Sequence, residues 1–328
     1  MKIGITFDLR SAYLAMGFSE DETAEFDRDE TIQAIENTLR ELGHATERIG
    51  HIKELAAALV AGRRWDLVFN IAEGMYGIGR EAQVPALLDA YRIPYTFSDP
   101  LVMSLTLDKG MTKRVVRDAG VPTSDFFVAA TVADAAKVHF NPPWFVKPVA
   151  EGTGKGITPA SIVRAREGLA AQVGELLATY RQPVLVEPYL SGREFTVGIV
   201  GTGDAARAIG SMEVILLSNA EQGVYSYVNK EFCEDRVEYR LVRPGDDPVV
   251  AAAERIALDA WRVLGCRDAG RIDIRCDGKN RPQFMEVNPL AGIHPQHSDL
   301  PIICNKVGLP YRDLLGAIVD SAAARIKE

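Results

Sequence analysis

The chain has 328 residues, of which 47% are hydrophobic and 25% charged, and its formal net charge is −8. That length exceeds one simple core and suits two or three lobes of an ordered globular protein. No lysine or arginine run stands out, which argues against a nucleic-acid partner, because phosphate backbones demand clustered positive charge. No stretch approaches the roughly 18 apolar residues of a membrane span, and the opening MKIGITFDLRS is too short an apolar run for a signal peptide. The four cysteines, Cys233, Cys266, Cys276 and Cys304, form no CxxC pair and no zinc spacing. Free, buried thiols in a reducing cytoplasm are the expectation.

In chain order, Lys2–Phe7 reads as a strand, followed by an acidic loop from Ser19 to Asp29. Ile32, Ile35, Leu39 and Leu42 then recur at helical spacing, and Gly43 ends that helix. Asp66–Ile71 reads as a buried strand, Val84, Leu87, Leu88 and Tyr91 as a helix face, and Ile93–Tyr95 as a short strand. Alternating strands and helices predict an α/β lobe with a parallel sheet over residues 1–100. A second lobe, 101–185, holds a helix near Asp108–Ala119, strands at Phe126–Ala129 and Trp144–Val149, and a long helix carrying Leu169, Val173, Leu176, Leu177 and Tyr180. The third lobe, 186–328, starts strand-rich, with Val184–Glu187, Phe195–Val200 and Ile209–Ile215. It continues with a helix through Val250, Ala253, Ile256, Ala260 and Val263, and closes with one through Leu314, Leu315, Ile318, Val319, Ala322 and Ile326.

The segment AGRIDIRCDGKNRPQFMEVNPLAG, Ala269 to Gly292, reads as two strands around a turn. With Cys276 opposite Gln283 the loop is Asp277–Pro282. Asp273 then faces Glu286, and Arg271 faces Asn288. Alternation puts these four on one face and Ile272, Ile274, Met285 and Val287 on the other. Opposed carboxylates repel unless a cation lies between them, and an all-oxygen set selects Mg²⁺ or Mn²⁺ over zinc. A solvated edge hairpin is the alternative. Arg271 is placed to hold a developing negative charge. Upstream, KPVAEGTGKG (Lys147 to Gly156) follows a strand. Its glycines let N–H groups approach phosphate oxygens, and Lys147 can reach them as a point charge, the alternative being a flexible surface turn. It is not a P-loop, since no glycine stands five residues before Gly154. Lys109 and Lys230 taken singly read as solvated lysines.

Together these segments resemble the D-alanine–D-alanine ligases and their ATP-grasp relatives, from about Asp66 to the end of the hairpin. DAYRIPYTFSDPLVMSLTLDK resembles the approach to that family's first ATP lysine, Lys109. VKPVAEGTGKG resembles the second, Lys147, with a phosphate-covering loop of Glu151, Gly152, Thr153, Gly154 and Gly156. LVEPYLSGREFTVG resembles the hinge strand. There the resemblance implies Glu187 accepting from the adenine amino group, Tyr189 and Leu190 lining the base pocket, and Glu194 taking the ribose hydroxyls. YSYVNK resembles a lid with Lys230 near the terminal phosphate. RIDIRCDG…FMEVNPLAG resembles the metal hairpin, implying Asp273, Glu286 and Asn288 as ligands of two ions, with Arg271 and Gly292 at the tetrahedral intermediate. The fold implied is ATP-grasp, an α/β (α+β) architecture in which a Rossmann-like first lobe precedes two lobes clamping ATP. The function implied is an ATP-dependent carboxylate–amine ligase, cytoplasmic, acting on small-molecule acids and amines by way of an acyl phosphate. Family members are often homodimers through the first lobe.

The substrate side departs from that pattern. FDLRSAYLAMGFSEDETAEFD replaces the family's glycine-rich opening, and no single glutamate in it matches the one that holds the first amino group. Glu73, Arg80 and Glu81 stand where the family carries HGxxGEDG. Glu231 follows the lid lysine in place of a tyrosine. His294, His297 and Ser298 follow Gly292; two histidines three apart invite a metal reading, but without a third ligand they more often line a pocket or cap a turn, and we expect them, with Ser298, to touch a substrate carboxylate. A different substrate pair is the expectation. Two other functions fit the same ATP half: a phosphotransferase, and a non-catalytic nucleotide-binding protein. Arg271 and Gly292 favour the ligase over the first. Retention of every expected lysine and ligand argues against the second.

Overall fold

The computed structural model describes residues 1–327. Strands β1 (Lys2–Phe7), β2 (Ala45–Gly50) and β3 (Leu67–Ile71) form a parallel sheet of order β2-β1-β3. Ile3 and Ile5 point to one face, against Ile32, Ile35 and Leu39 of the helix Asp29–Glu41. On the other face a Cβ on Gly4 would lie 2.4 Å from Ile49 and 3.0 Å from Trp65, so β1 sits close to its cover there. Ile93–Tyr95, expected as a strand, contributes one isolated bridge, Val68 to Tyr95.

Strands β4 (Phe127–Ala129), β5 (Trp144–Pro148), β6 (Ile162–Val163) and β7 (Val184–Pro188) make a second sheet of order β4-β7-β5-β6. The segment 184–187, read with the third lobe, therefore belongs between β4 and β5 in this sheet. Trp144, Val146 and Val186 pack under Leu169, Val173 and Leu176 of the helix Arg166–Tyr180. Period-two alternation leaves Phe145, Lys147 and Glu187 on the opposite face, toward the cleft.

The third sheet holds β8 (Glu194–Val200), β9 (Arg207–Leu216), β10 (Val237–Val242), β11 (Ala269–Cys276) and β12 (Pro282–Asn288), in the order β10-β9-β8-β11-β12. Phe195, Val197, Ile272 and Ile274 pack on the helix Pro248–Leu264 through Val250, Ala253, Ala257 and Trp261. Val263, expected on that buried stripe, is exposed, and Trp261 and Leu264 take the role. The last helix, Tyr311–Ala324, returns to the first sheet. Leu314, Leu315 and Ile318 are fully buried there, each contributing about 1.5–3 kcal/mol of burial free energy. The end of the chain thus fastens its beginning.

The hairpin register differs from expectation in one place. Asp273 faces Glu286 and Arg271 faces Asn288, as the alternation predicts. Beyond Asp273 the pairing shifts: Ile274 faces Phe284, and Cys276 faces Pro282 rather than Gln283. Met285 is the extra residue of a bulge. The shift buries Phe284 completely in the helix-covered core. Met285 turns instead to the cleft, where it lines the nucleotide-side cavities.

Candidate active site

The cleft lies between the second and third sheets. On β11, Asp273 accepts a hydrogen bond from the Thr196 hydroxyl at 2.9 Å and pairs with Arg271. Arg271 Nε also lies 3.5 Å from Asp299. Opposite, Glu286 lies 3.3 Å from Lys147 Nζ and 3.7 Å from Lys109 Nζ. The two facing carboxylates therefore each hold a cation. Burial pushes Glu286 up, but Lys109, Lys147, Lys230 and Arg271 outweigh it and hold its carboxyl far below the usual range. Burial also opposes the charge on Lys147, and Glu286 and Glu187 more than restore it. For Lys109 burial dominates and lowers its pKa.

The ladder continues past the expected set. Glu187 lies 3.6 Å from Lys147 and 2.5 Å from Lys113, a fully buried lysine on the helix Lys109–Asp118. Sequence reasoning missed Lys113. Its signal was its place one turn after Lys109, on a face that also buries Val116. Burial raises Glu187, but Lys113 and Lys147 prevail and keep it ionised.

The glycine-rich loop is folded onto the lid. Thr153, Gly154 and Gly156 all have positive φ. A Cβ on Gly154 would come within 2.8 Å of the Tyr227 nitrogen, so only glycine allows this approach. Glu151 is not free in the loop: its carboxylate meets Lys155 at 2.7 Å and the Gln182 amide at 2.6 Å. Its carbonyl accepts from Lys109 Nζ at 2.5 Å. Phe145, Glu187, Tyr189, Leu190 and Met285 line a narrow, mostly apolar slot of about 20 Å³. Glu194 sits nearby on β8, 3.2 Å from Arg275, a second residue the sequence reading passed over.

Two further cavities meet at the hairpin. The smaller, about 110 Å³, is lined by Glu25, Glu73, Glu81, Lys109, Asn288 and Gly292. The larger, about 300 Å³, is lined by Arg28, Lys230, Glu231, His294, His297 and Ser298, among others. Gly292, Arg271, Thr153 and Glu25 border both. Glu25 comes from the acidic insertion. It accepts from the Gly152 N–H at 2.5 Å and from Arg80 Nη2 at 3.0 Å. No feature of the acidic run singled it out; the one hint was Phe26 beside it, which is buried. Arg80 is spent on Glu25 and the Ala150 carbonyl, 3.1 Å away. Glu73 and Glu81 make no ion pair within 4.0 Å among the described residues. Burial, then neighbouring acids, drives Glu73 well above the usual carboxylate range; burial raises Glu81 to about 7.

The histidine segment folds as a turn and stands beside the larger cavity. His294 Nδ1 accepts from the N–H groups of Gln296 and His297, each at 3.2 Å, and Ser298 Oγ accepts from the His294 N–H at 2.9 Å. That is a capped turn. Its rings nevertheless line the larger cavity, with His297 3.2 Å from Glu234. Glu231 is half-exposed and pairs with Arg28 at 3.4 Å. Lys230 lies over the Tyr225 ring, 4.6 Å from its centre, and borders the nucleotide side as well.

A family model described as the D-Ala–D-Ala ligase C-terminus matches residues 115–320, well over half of the chain. A D-alanine–D-alanine ligase of Bordetella petrii is 35% identical over 276 residues, 83% of this chain and 81% of that one. The chain belongs to the D-alanine–D-alanine ligase family. The ligase of Aquifex aeolicus is 32% identical over 290 residues, 88% of this chain and 93% of that one. Solved structures share the fold throughout. A Bacillus anthracis D-alanine–D-alanine ligase complexed with ATP superposes with a TM-score of 0.73 at 20% identity, covering 100% of this chain and 99% of that one. The VanG D-Ala:D-Ser ligase of Enterococcus faecalis gives 0.73 at 19%, covering 98% and 99%. This family member is an ATP-dependent carboxylate–amine ligase with an ATP-grasp fold. All four of its cysteines are free and buried, and no described helix is long and apolar enough to cross a membrane.

Proposed function

We propose that this ligase activates a small amino acid in the acid-lined cavity and joins it to a larger amine in the cavity beyond Gly292. The observation that carries the reading is the mismatch between the two chambers, about 110 Å³ against about 300 Å³, on either side of Gly292. Two copies of one small substrate would need two small chambers. The smaller is rich in unpaired acid, which suits an ammonium group on the donor. The larger mixes Arg28, His294 and His297 with aromatic rings, which suits a bulkier acceptor carrying a carboxylate.

Within this reading Glu187, Tyr189 and Leu190 seat the base, and Glu194 takes the ribose. Lys109, Lys147 and Lys230 hold the phosphates under the loop of Gly152, Thr153, Gly154 and Gly156. The donor carboxylate attacks the terminal phosphorus in line, and ADP leaves an acyl phosphate. The amine then attacks the acyl carbon and phosphate departs. Arg271 and the Gly292 N–H stabilise the oxyanion formed between those events. Asp273, Glu286 and Asn288 fit Mg²⁺ or Mn²⁺, because they offer oxygen ligands only and the hairpin register sets Asp273 directly opposite Glu286, with Asn288 two residues further along the same strand. Bound there, such ions would supply positive charge to the transferring phosphoryl group.

The test is product analysis by mass after incubation with ATP, Mg²⁺ and paired panels of amino acids and amines. An amide of a small donor with a larger acceptor, plus ADP, is expected. D-alanyl-D-alanine as the preferred product would overturn the size reading, and a stable phosphorylated compound would favour a phosphotransferase.

A further inference from the structure

Arg275 belongs to none of the roles above. It lies two residues beyond Asp273 on the cleft face of β11, opposite Glu194 of β8, and is only 8% exposed. Its Nη1 lies 3.2 Å from Glu194, and its Nη2 donates to the Gly223 carbonyl of the lid at 3.1 Å. The guanidinium sits over the Tyr189 ring, 5.2 Å from the centre, and the Tyr189 hydroxyl donates to the same Gly223 carbonyl at 3.0 Å. Its Nε is buried and has no hydrogen-bond partner. One side chain thus touches the base slot, the ribose-side acid and the lid, and keeps one donor free beside the nucleotide cavity.

We propose that Arg275 is a nucleotide-positioning residue that couples recognition of the ribose to closure of the lid. Glu194 is buried in a wall that also carries Asp273 and Glu286, and without a cation it would favour its neutral form. A carboxylate accepts from two ribose hydroxyls; a protonated acid accepts less well. Burial raises the Glu194 carboxyl, and Arg275, 3.2 Å away, is the strongest charge drawing it back toward its accepting form. The same guanidinium grips Gly223, which has positive φ and whose Cβ would lie 2.9 Å from the Tyr189 hydroxyl, so the lid reaches this contact only through glycine. An interior ion pair for stability alone would do as well with an apolar pair. The unpartnered Nε and the contact with the Gly223 carbonyl point to a ligand-linked role instead.

The inference rests on the ribose lying beside Glu194. The test compares binding of ATP and 2′-deoxy-ATP to the full chain, its Arg275→Met variant and its Arg275→Lys variant. Proteolysis within residues 217–232 is followed in parallel. The wild type should prefer ATP by about tenfold, the range of a hydrogen bond to a charged acceptor, and ATP should shield the lid better than the deoxynucleotide. Arg275→Met should bring the preference below about threefold and erase the difference in shielding, with Arg275→Lys recovering part of both. A Met variant that weakens both nucleotides by one common factor, or changes nothing, overturns the coupling. A wild type that binds both equally overturns the ribose placement itself, and the coupling with it.

Discussion

On the nucleotide wall each buried acid has a cation beside it. Glu286 has Lys147 at 3.3 Å, Glu187 has Lys113 at 2.5 Å and Glu194 has Arg275 at 3.2 Å. On the donor wall Arg80 is committed to Glu25 at 3.0 Å, and Glu73 and Glu81 are left over. On the first wall the cations hold Glu187 and Glu286 low while burial still raises Glu194, so an arriving triphosphate and metal would meet partners already in place. The second holds Glu73 and Glu81 without a cation, and burial raises both carboxyls toward their neutral forms, so an incoming ammonium group would draw them into the charged form. On the proposed reading, the paired wall serves the nucleotide and the unpaired wall reads the donor.

The largest effect should come from breaking the paired wall. Lys147→Ala or Asp273→Asn should lower turnover at least about 100-fold, the cost of losing one preorganised charge stabiliser, as measured by ADP release with melting curves as the folding control. Near-normal rates in either variant would remove the hairpin from the chemistry. On the other wall the double change Glu73→Gln with Glu81→Gln should raise KM for the amino-acid donor about tenfold, the worth of a charge-assisted hydrogen bond. KM for ATP should hold. Parallel rises in both constants would mean that the acids shape the lobe and do not read the donor. The smallest effect is on stability. The Glu81 carboxyl is raised from 4.5 to about 7 by burial, so its neutral form favours folding. That contribution is whole below the unfolded pKa and is lost as pH rises toward 7. Glu81→Gln should consequently melt higher than wild type at pH 8, by about 1–3 kcal/mol, with the gap closing near pH 4. A constant gap at every pH would contradict a raised carboxyl.

Much of the nucleotide wall was legible because strands carry it. Period two alone places Arg271, Asp273, Glu286 and Asn288 on one face, and the structure agrees. The bulge was not legible, since Phe284 and Met285 are both apolar and only packing decides which one turns inward. Glu25 was hidden for a related reason: a glutamate in a run of acids shows no sign of burial until a distant Arg80 and Gly152 are folded against it. The last helix announced a buried stripe, but a stripe does not say which sheet it will cover, and Tyr311–Ala324 chose the first. His294 and His297 were weighed as pocket or turn, and local hydrogen bonding allows both at once.

The hydrogen bond from the Gly152 N–H to Glu25 joins the roof over the phosphates to the wall of the donor chamber. On the proposed reading, whatever lifts that roof to release spent ADP would also breach the chamber where the activated acid waits. Product departure and exposure of the labile intermediate to bulk water would then fall under one latch, and its strength would set how long the acceptor has to arrive.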